Sequence, residues 1–147
     1  MFNSIVVGTD GSDTATQAVR EAVDMAKAVG ATLELVSAYL PVSEQRLRAE
    51  RRNAPADVQW AINPKQEVEL SLSDAADIAR EAGVNVNTHA VQGDPANAII
   101  EVAEKQNSDV VIVGNKGMTG AKRFLLGSVP DKISHHAPCS VLIVRTT

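Results

Sequence analysis

Aromatic side chains are scarce in this sequence: they make up 3% of 147 residues, with Trp60 the only tryptophan and Tyr39 the only tyrosine. Single-stranded nucleic acids are held by stacked rings over a cationic groove, and duplexes by a basic face. A chain of net charge −4 with so few rings offers neither, so nucleic-acid binding is not expected. The basic cluster RLRAERR at 46–52 is interrupted by Glu50 and preceded by Glu44, and it reads as a solvated helical face. With one cysteine, Cys139, there is no internal disulfide and no CxxC metal site. That residue is expected to pack as a small apolar side chain in a reducing compartment. No run reaches the roughly 18 apolar residues of a membrane span, and the opening MFNSIVVG has no basic n-region or cleavage site. The expected location is the cytoplasm, without a membrane partner.

What the chain does have is alternation. Short segments rich in Val, Ile and Leu occur at 4–10, 32–38, 84–91, 109–114 and 140–144, and each reads as a strand. Between them run helical stripes. Ala15, Ala18, Val19, Ala22, Ala26 and Val29 form one, stopped by Gly30, and Val68, Leu72, Ala75, Ala79 and Ala82 form another, stopped by Gly83. A third contains Ala96, Ile99, Ile100 and Ala103; it opens on GDP, where Asp94 suits the N-cap and Pro95 the first turn. A fourth, short helix is expected from Ser128. This order predicts an α/β fold: an open, doubly wound, five-stranded parallel sheet with helices on both faces, Rossmann-like. One domain is expected over 1–147, interrupted by a part-helical excursion at about 40–66 that carries Pro41, Pro55, Trp60 and Pro64.

Ligands of such sheets lie beyond the carboxyl ends of the strands, where chain order reverses. Two loops fit that place if strands one and four are neighbours: GTDGSDT at 8–14 and GNKGMTGAKRFLLGS at 114–128. The second holds Gly114, Gly117, Gly120 and Gly127, a costly cluster unless some group lies against the backbone. Successive N–H groups and a helix start at Gly127 and Ser128 suit a phosphate. Ser128 is placed either to cap that helix or to donate its hydroxyl to the ligand, and Lys116, Lys122 and Arg123 add positive charge unless they are simply solvated. Asp10 is placed to accept from ribose hydroxyls, to hold a magnesium ion through water, or to tie its own turn. Neither GxxxxGK[ST] nor GxGxxG is present, so a P-loop NTPase and a dinucleotide dehydrogenase are not expected.

The spacing Gly114, two residues, Gly117, nine residues, Gly127, Ser128 resembles the nucleotide loop of the ATP-binding branch of the universal stress protein family. The chain is also similar to that family in IVVGTDGS, SAY, DVVIVGNKG, LLGSVPDKI and PCSVLIV, and 42–66 alone matches poorly. The resemblance implies an adenine-nucleotide-binding regulatory protein of the stress response. Its ligand would be ATP, with or without magnesium, or cyclic AMP. Thr9, Asp10 and Gly11 would approach ribose and adenine, and the Ala38 backbone would read the adenine edge. Gly114, Lys116, Gly117, Met118, Gly120, Gly127, Ser128 and Val129 would line the phosphates. It also implies a homodimer through the last strand and a protein partner of unknown identity. No catalytic residue is assigned. None of His89, His135 and His136 is placed at the crevice, and adjacent His135 and His136 face different sides of a helix, a poor metal site. The alternative is a slow ATP hydrolase or self-phosphorylating enzyme using Asp10 and magnesium, with water or the Ser128 or Thr119 hydroxyl.

Overall fold

The computed structural model describes residues 2–39, 64–115 and 126–146. Among these residues nine elements follow one another: β1 (Ser4–Gly8), α1 (Asp13–Val29), β2 (Thr32–Tyr39), α2 (Pro64–Glu81), β3 (Val86–Gln92), α3 (Pro95–Lys105), β4 (Val110–Gly114), α4 (Ser128–His136) and β5 (Ser140–Val144). Apart from 64–66, which open α2, the 40–66 excursion lies outside the described residues, and so does its basic cluster. The five strands form one parallel sheet in the order β3-β2-β1-β4-β5. The chain therefore winds outward from β1 to β3, then returns to the other side of β1 for β4 and β5. Between β1 and β4 the order reverses.

Helix boundaries follow local chemistry. Ser12 Oγ accepts the Ala15 N–H at 3.2 Å to open α1, and Gly30, at φ 72°, closes it. Asp94 Oδ2 accepts the Asn97 N–H at 3.1 Å to open α3, with Pro95 in the first turn. Both faces of the sheet are covered, so the central strands β1, β2 and β4 are largely apolar on both sides. Ile5, Val7, Leu33, Leu35 and Ile112 pack under α1 and α2, while Val6, Val36, Val111 and Val113 pack under α3 and α4. Each side chain of this kind contributes about 1.5–3 kcal/mol when fully buried. Glu34 is the exception on the second face. Only 3% exposed, it accepts from Asn87 Nδ2 at 3.1 Å and pairs with His89 Nε2 at 2.7 Å, which fixes His89 as an edge-strand packing residue away from the switch point.

At the opposite end of the sheet, Asp109 Oδ2 accepts the N–H groups of Asn3 and Ser4 at 2.7 and 3.0 Å, tying the start of β4 to the start of β1. Half-buried Cys139 has its thiol pushed up by burial and by the Asp109 charge, as expected of a packed rather than reactive cysteine. Among the described residues, no helix is long and apolar enough to cross a membrane.

Candidate functional site

At the carboxyl ends of β1 and β4 the structure opens into a cleft of about 610 Å³, counting the space continuous with solvent. Gly8, Thr9 and Asp10 enter it from β1, Ser37 and Ala38 from β2, and Gly114 from β4. The side walls are apolar, from Val36, Ile99, Val113, Val129 and Pro130.

The β1 side is a braced turn. The Thr9 N–H donates to the Val36 carbonyl at 2.9 Å, Thr9 Oγ1 accepts the Gly11 N–H at 3.1 Å, and Asp10 Oδ1 accepts the Ser12 N–H at 2.9 Å. Gly11 sits at φ +81°, and a Cβ there would stand 2.8 Å from Ser71 Oγ, so the turn requires glycine. Asp10 is thus held at the rim, the one carboxylate among the described lining residues. Gly8 meets a different constraint: its Cβ would collide with Ile99 Cδ1 and stand 3.1 Å from Ile99 Cγ1.

Strand period decides what Ala38 offers. The Thr32 N–H donates to Asn3, the Leu33 N–H donates to Asn85, and the Val36 carbonyl accepts from Thr9. Even-numbered residues of β2 therefore turn their N–H and C=O toward β1, and Ala38 does so two residues beyond Val36, past the end of β1. A free strand edge thus borders the cleft. On the far side, α4 begins from Gly127, which supplies no side-chain cap, so the first-turn N–H groups have no side-chain acceptor at the N-cap.

This arrangement is apolar in the middle, with a backbone edge and a carboxylate on one side and an uncapped helix start on the other. The sequence profile of the Universal stress protein family matches residues 1–145. Universal stress protein Rv1636 of Mycobacterium tuberculosis is 37% identical over 147 residues, covering 99% of this chain and 98% of that protein. Universal stress protein MJ0531 of Methanocaldococcus jannaschii is 34% identical, covering 99% and 83%. A crystal structure of a universal stress protein in complex with cAMP has a TM-score of 0.74 at 31% identity, covering 99% and 98%. The chain belongs to the universal stress protein family.

In this universal stress protein, Thr9, Asp10, Ala38, Gly114 and Val129 line one cleft. They are drawn from β1, β2, β4 and α4. Gly11 shapes the turn behind Asp10 and does not line the cleft. Buried Gly127 lies at the foot of α4. Ser128 is exposed, and its capping role is not realised: Gly127 occupies the N-cap and Ser128 is already the first helical residue. Gly127 has φ −62° and ψ 161°, an extended conformation open to any residue, so its own backbone does not call for glycine. Lys116, Gly117, Met118 and Gly120, with Lys122 and Arg123, lie outside the described residues.

Sequence reasoning placed the 8–14 loop at the site without singling out Gly8 or Thr14, and it missed Pro95, Ile99 and Thr146, all of which line the cleft. Gly8 ends the apolar run SIVVG, which was a usable signal; Pro95 and Ile99 read only as helix start and helix stripe. Nothing in the closing RTT marks Thr146. Among the described residues no group of three or more His, Cys, Asp or Glu could hold a metal ion. His135 and His136 lie exposed at the end of α4, where His135 Nδ1 is 2.8 Å from the Asp131 carbonyl oxygen.

Proposed function

We propose that this universal stress protein binds an adenine nucleotide, ATP or cyclic AMP, in the cleft between β1 and β4. It acts as a regulatory module in the stress response, its nucleotide occupancy changing its conformation or its partners. The observation that carries this reading is the placement of three complementary features around one apolar slot. The outward backbone edge of Ala38 suits the adenine edge, Asp10 suits the ribose hydroxyls, and the uncapped start of α4 suits phosphate oxygens. The solved universal stress protein in complex with cAMP, 31% identical to this chain, supports the same class of ligand.

Charge decides between the two nucleotides. A triphosphate carries about three to four negative charges and needs cations, whereas a cyclic monophosphate carries one and is held by backbone N–H groups. Lys116, Lys122 and Arg123 favour ATP, with Gly117, Met118 and Gly120 between them in the sequence. One carboxylate together with phosphate oxygens and water is an adequate donor set for magnesium, and Asp10 would hold such an ion through water. Bound magnesium would neutralise polyphosphate charge. Isothermal calorimetry with ATP, with and without magnesium, and with cyclic AMP tests the reading. Binding of at least one nucleotide is expected, and neutralising Lys116, Lys122 and Arg123 together should weaken ATP more than cyclic AMP. No binding of either would overturn the site assignment; equal losses would make cyclic AMP the better ligand.

We also propose a homodimer through β5. It is an edge strand whose Leu142 and Ile143 are each 38% exposed, and a second copy pairing along it would cover both.

A further inference from the structure

Asn115, the first residue after β4, is hydrogen-bonded to Val144, Gly127 and Thr146. Its N–H donates to the Val144 carbonyl at 2.9 Å, and its own carbonyl accepts the Gly127 N–H at 3.0 Å. Its side-chain Oδ1 accepts both the Thr146 N–H at 2.9 Å and the Thr146 hydroxyl at 3.2 Å. Its carbonyl thus ties the end of β4 to the foot of α4. The side chain reaches 31 residues along the sequence to hold the segment beyond β5. Thr146 lines the cleft, and its Cγ2 lies 3.5 Å from where a Gly114 Cβ would stand.

An asparagine at a strand end ordinarily satisfies its own turn. Here the amide oxygen is committed to a distant segment that forms part of a ligand-sized cleft. We propose that Asn115 is a positioning residue of the nucleotide site, its side chain seating Thr146 as a cleft wall while its carbonyl holds Gly127 at the foot of α4. The role in binding rests on the nucleotide reading above. Because the Asn115 N–H also holds Val144, the last residue of edge strand β5, one residue joins the cleft to that strand. By linkage, a ligand that settles against the foot of α4 also stabilises the Thr146 segment, and the reverse holds.

Asn115→Ala removes the acceptor, and Asn115→Asp keeps an oxygen in its place. Calorimetry with ATP and cyclic AMP is combined with amide hydrogen exchange of the unliganded proteins at Gly127 and Thr146. The alanine variant should bind about tenfold more weakly, as expected for one or two lost hydrogen bonds, with faster exchange at both amides. The aspartate variant should restore slow exchange at both. If exchange rises at Thr146 alone, or if affinity is unchanged where the wild type binds, the proposal is overturned. Should the alanine variant fail to fold, Thr146→Val, which removes only the hydroxyl bond, is expected to speed exchange at Gly127 and to weaken binding. Wild type that binds neither nucleotide would defeat the functional reading alone, and unchanged exchange at Gly127 in the alanine variant would then still overturn the tie.

Discussion

Gly8 ends β1 without a side chain because Ile99 Cδ1 already occupies the space a Cβ would need. The conflict is with the end of a side chain rather than with backbone, so Gly8→Ala should fold. Ile99 must leave its rotamer, at about 0.5–1.5 kcal/mol. For a chain of this size that lowers the melting temperature by about 2–4 °C per kcal/mol. Both residues line the cleft, so the displaced side chain narrows it, and nucleotide affinity should fall about tenfold. Adding Ile99→Val removes the offending Cδ1 and should restore both melting temperature and affinity in calorimetry. Full affinity in the Gly8→Ala single variant would show that Ile99 yields away from the cleft. Gly8 could be seen in the sequence only as a strand end; its partner lies 91 positions away in α3, and no local pattern names it.

Among the elements, α3 and α4 are joined at their cleft-facing ends by Asp94. Its carboxylate accepts the Asn97 N–H and lies 3.3 Å from Lys132 Nζ on α4. The Asn97 N–H is the main reason that Asp94 stays below the usual carboxylate range, with the Lys132 charge adding to it. Asp109 is likewise held low, by the N–H groups of Asn3 and then Ser4. Folded-state values below the unfolded ones mean that this stability is present at neutral pH. It is lost as pH falls through the folded values, below about 4. Asp94→Ala should therefore cost about 1 kcal/mol at pH 7, and its deficit against wild type should shrink toward pH 2. Urea denaturation of both proteins across that range measures it. A deficit that persists at pH 2 would assign the loss to packing instead. This cap was legible beforehand in GDP, because capping is local; the reach to Lys132 was not, since it requires α3 and α4 on the same face.

For the whole molecule, the sheet has two edges of different character. Strand β3 is polar outside, with Asn87 and Thr88 exposed, whereas β5 shows Leu142 and Ile143 on successive and therefore opposite faces. A second copy added along β5 would extend the sheet and bury both. Light scattering at micromolar concentration should give twice the 15.5 kDa mass of the chain. Replacing Leu142 and Ile143 with lysine should give a folded monomer, because charged edges resist pairing. A wild-type monomer would remove the dimer and leave the cleft untouched.

The sequence alone determined the elements and their faces, because period, caps and stop residues act within a few positions of one another. The stripe of α1 ending at Gly30, the Asp94 cap and the five apolar runs are all of this kind. It also determined the family, through loop spacings that survive along the chain. Strand order was decided only in three dimensions. Periodicity is blind to which strand lies beside which, and the order β3-β2-β1-β4-β5 comes from packing helices on both faces through right-handed crossovers. The pairs Glu34 with His89, Gly8 with Ile99 and Asn115 with Thr146 depend on that order. Each joins residues that are far apart in the chain, and their contacts exist only once the sheet has set neighbouring strands and their helices side by side.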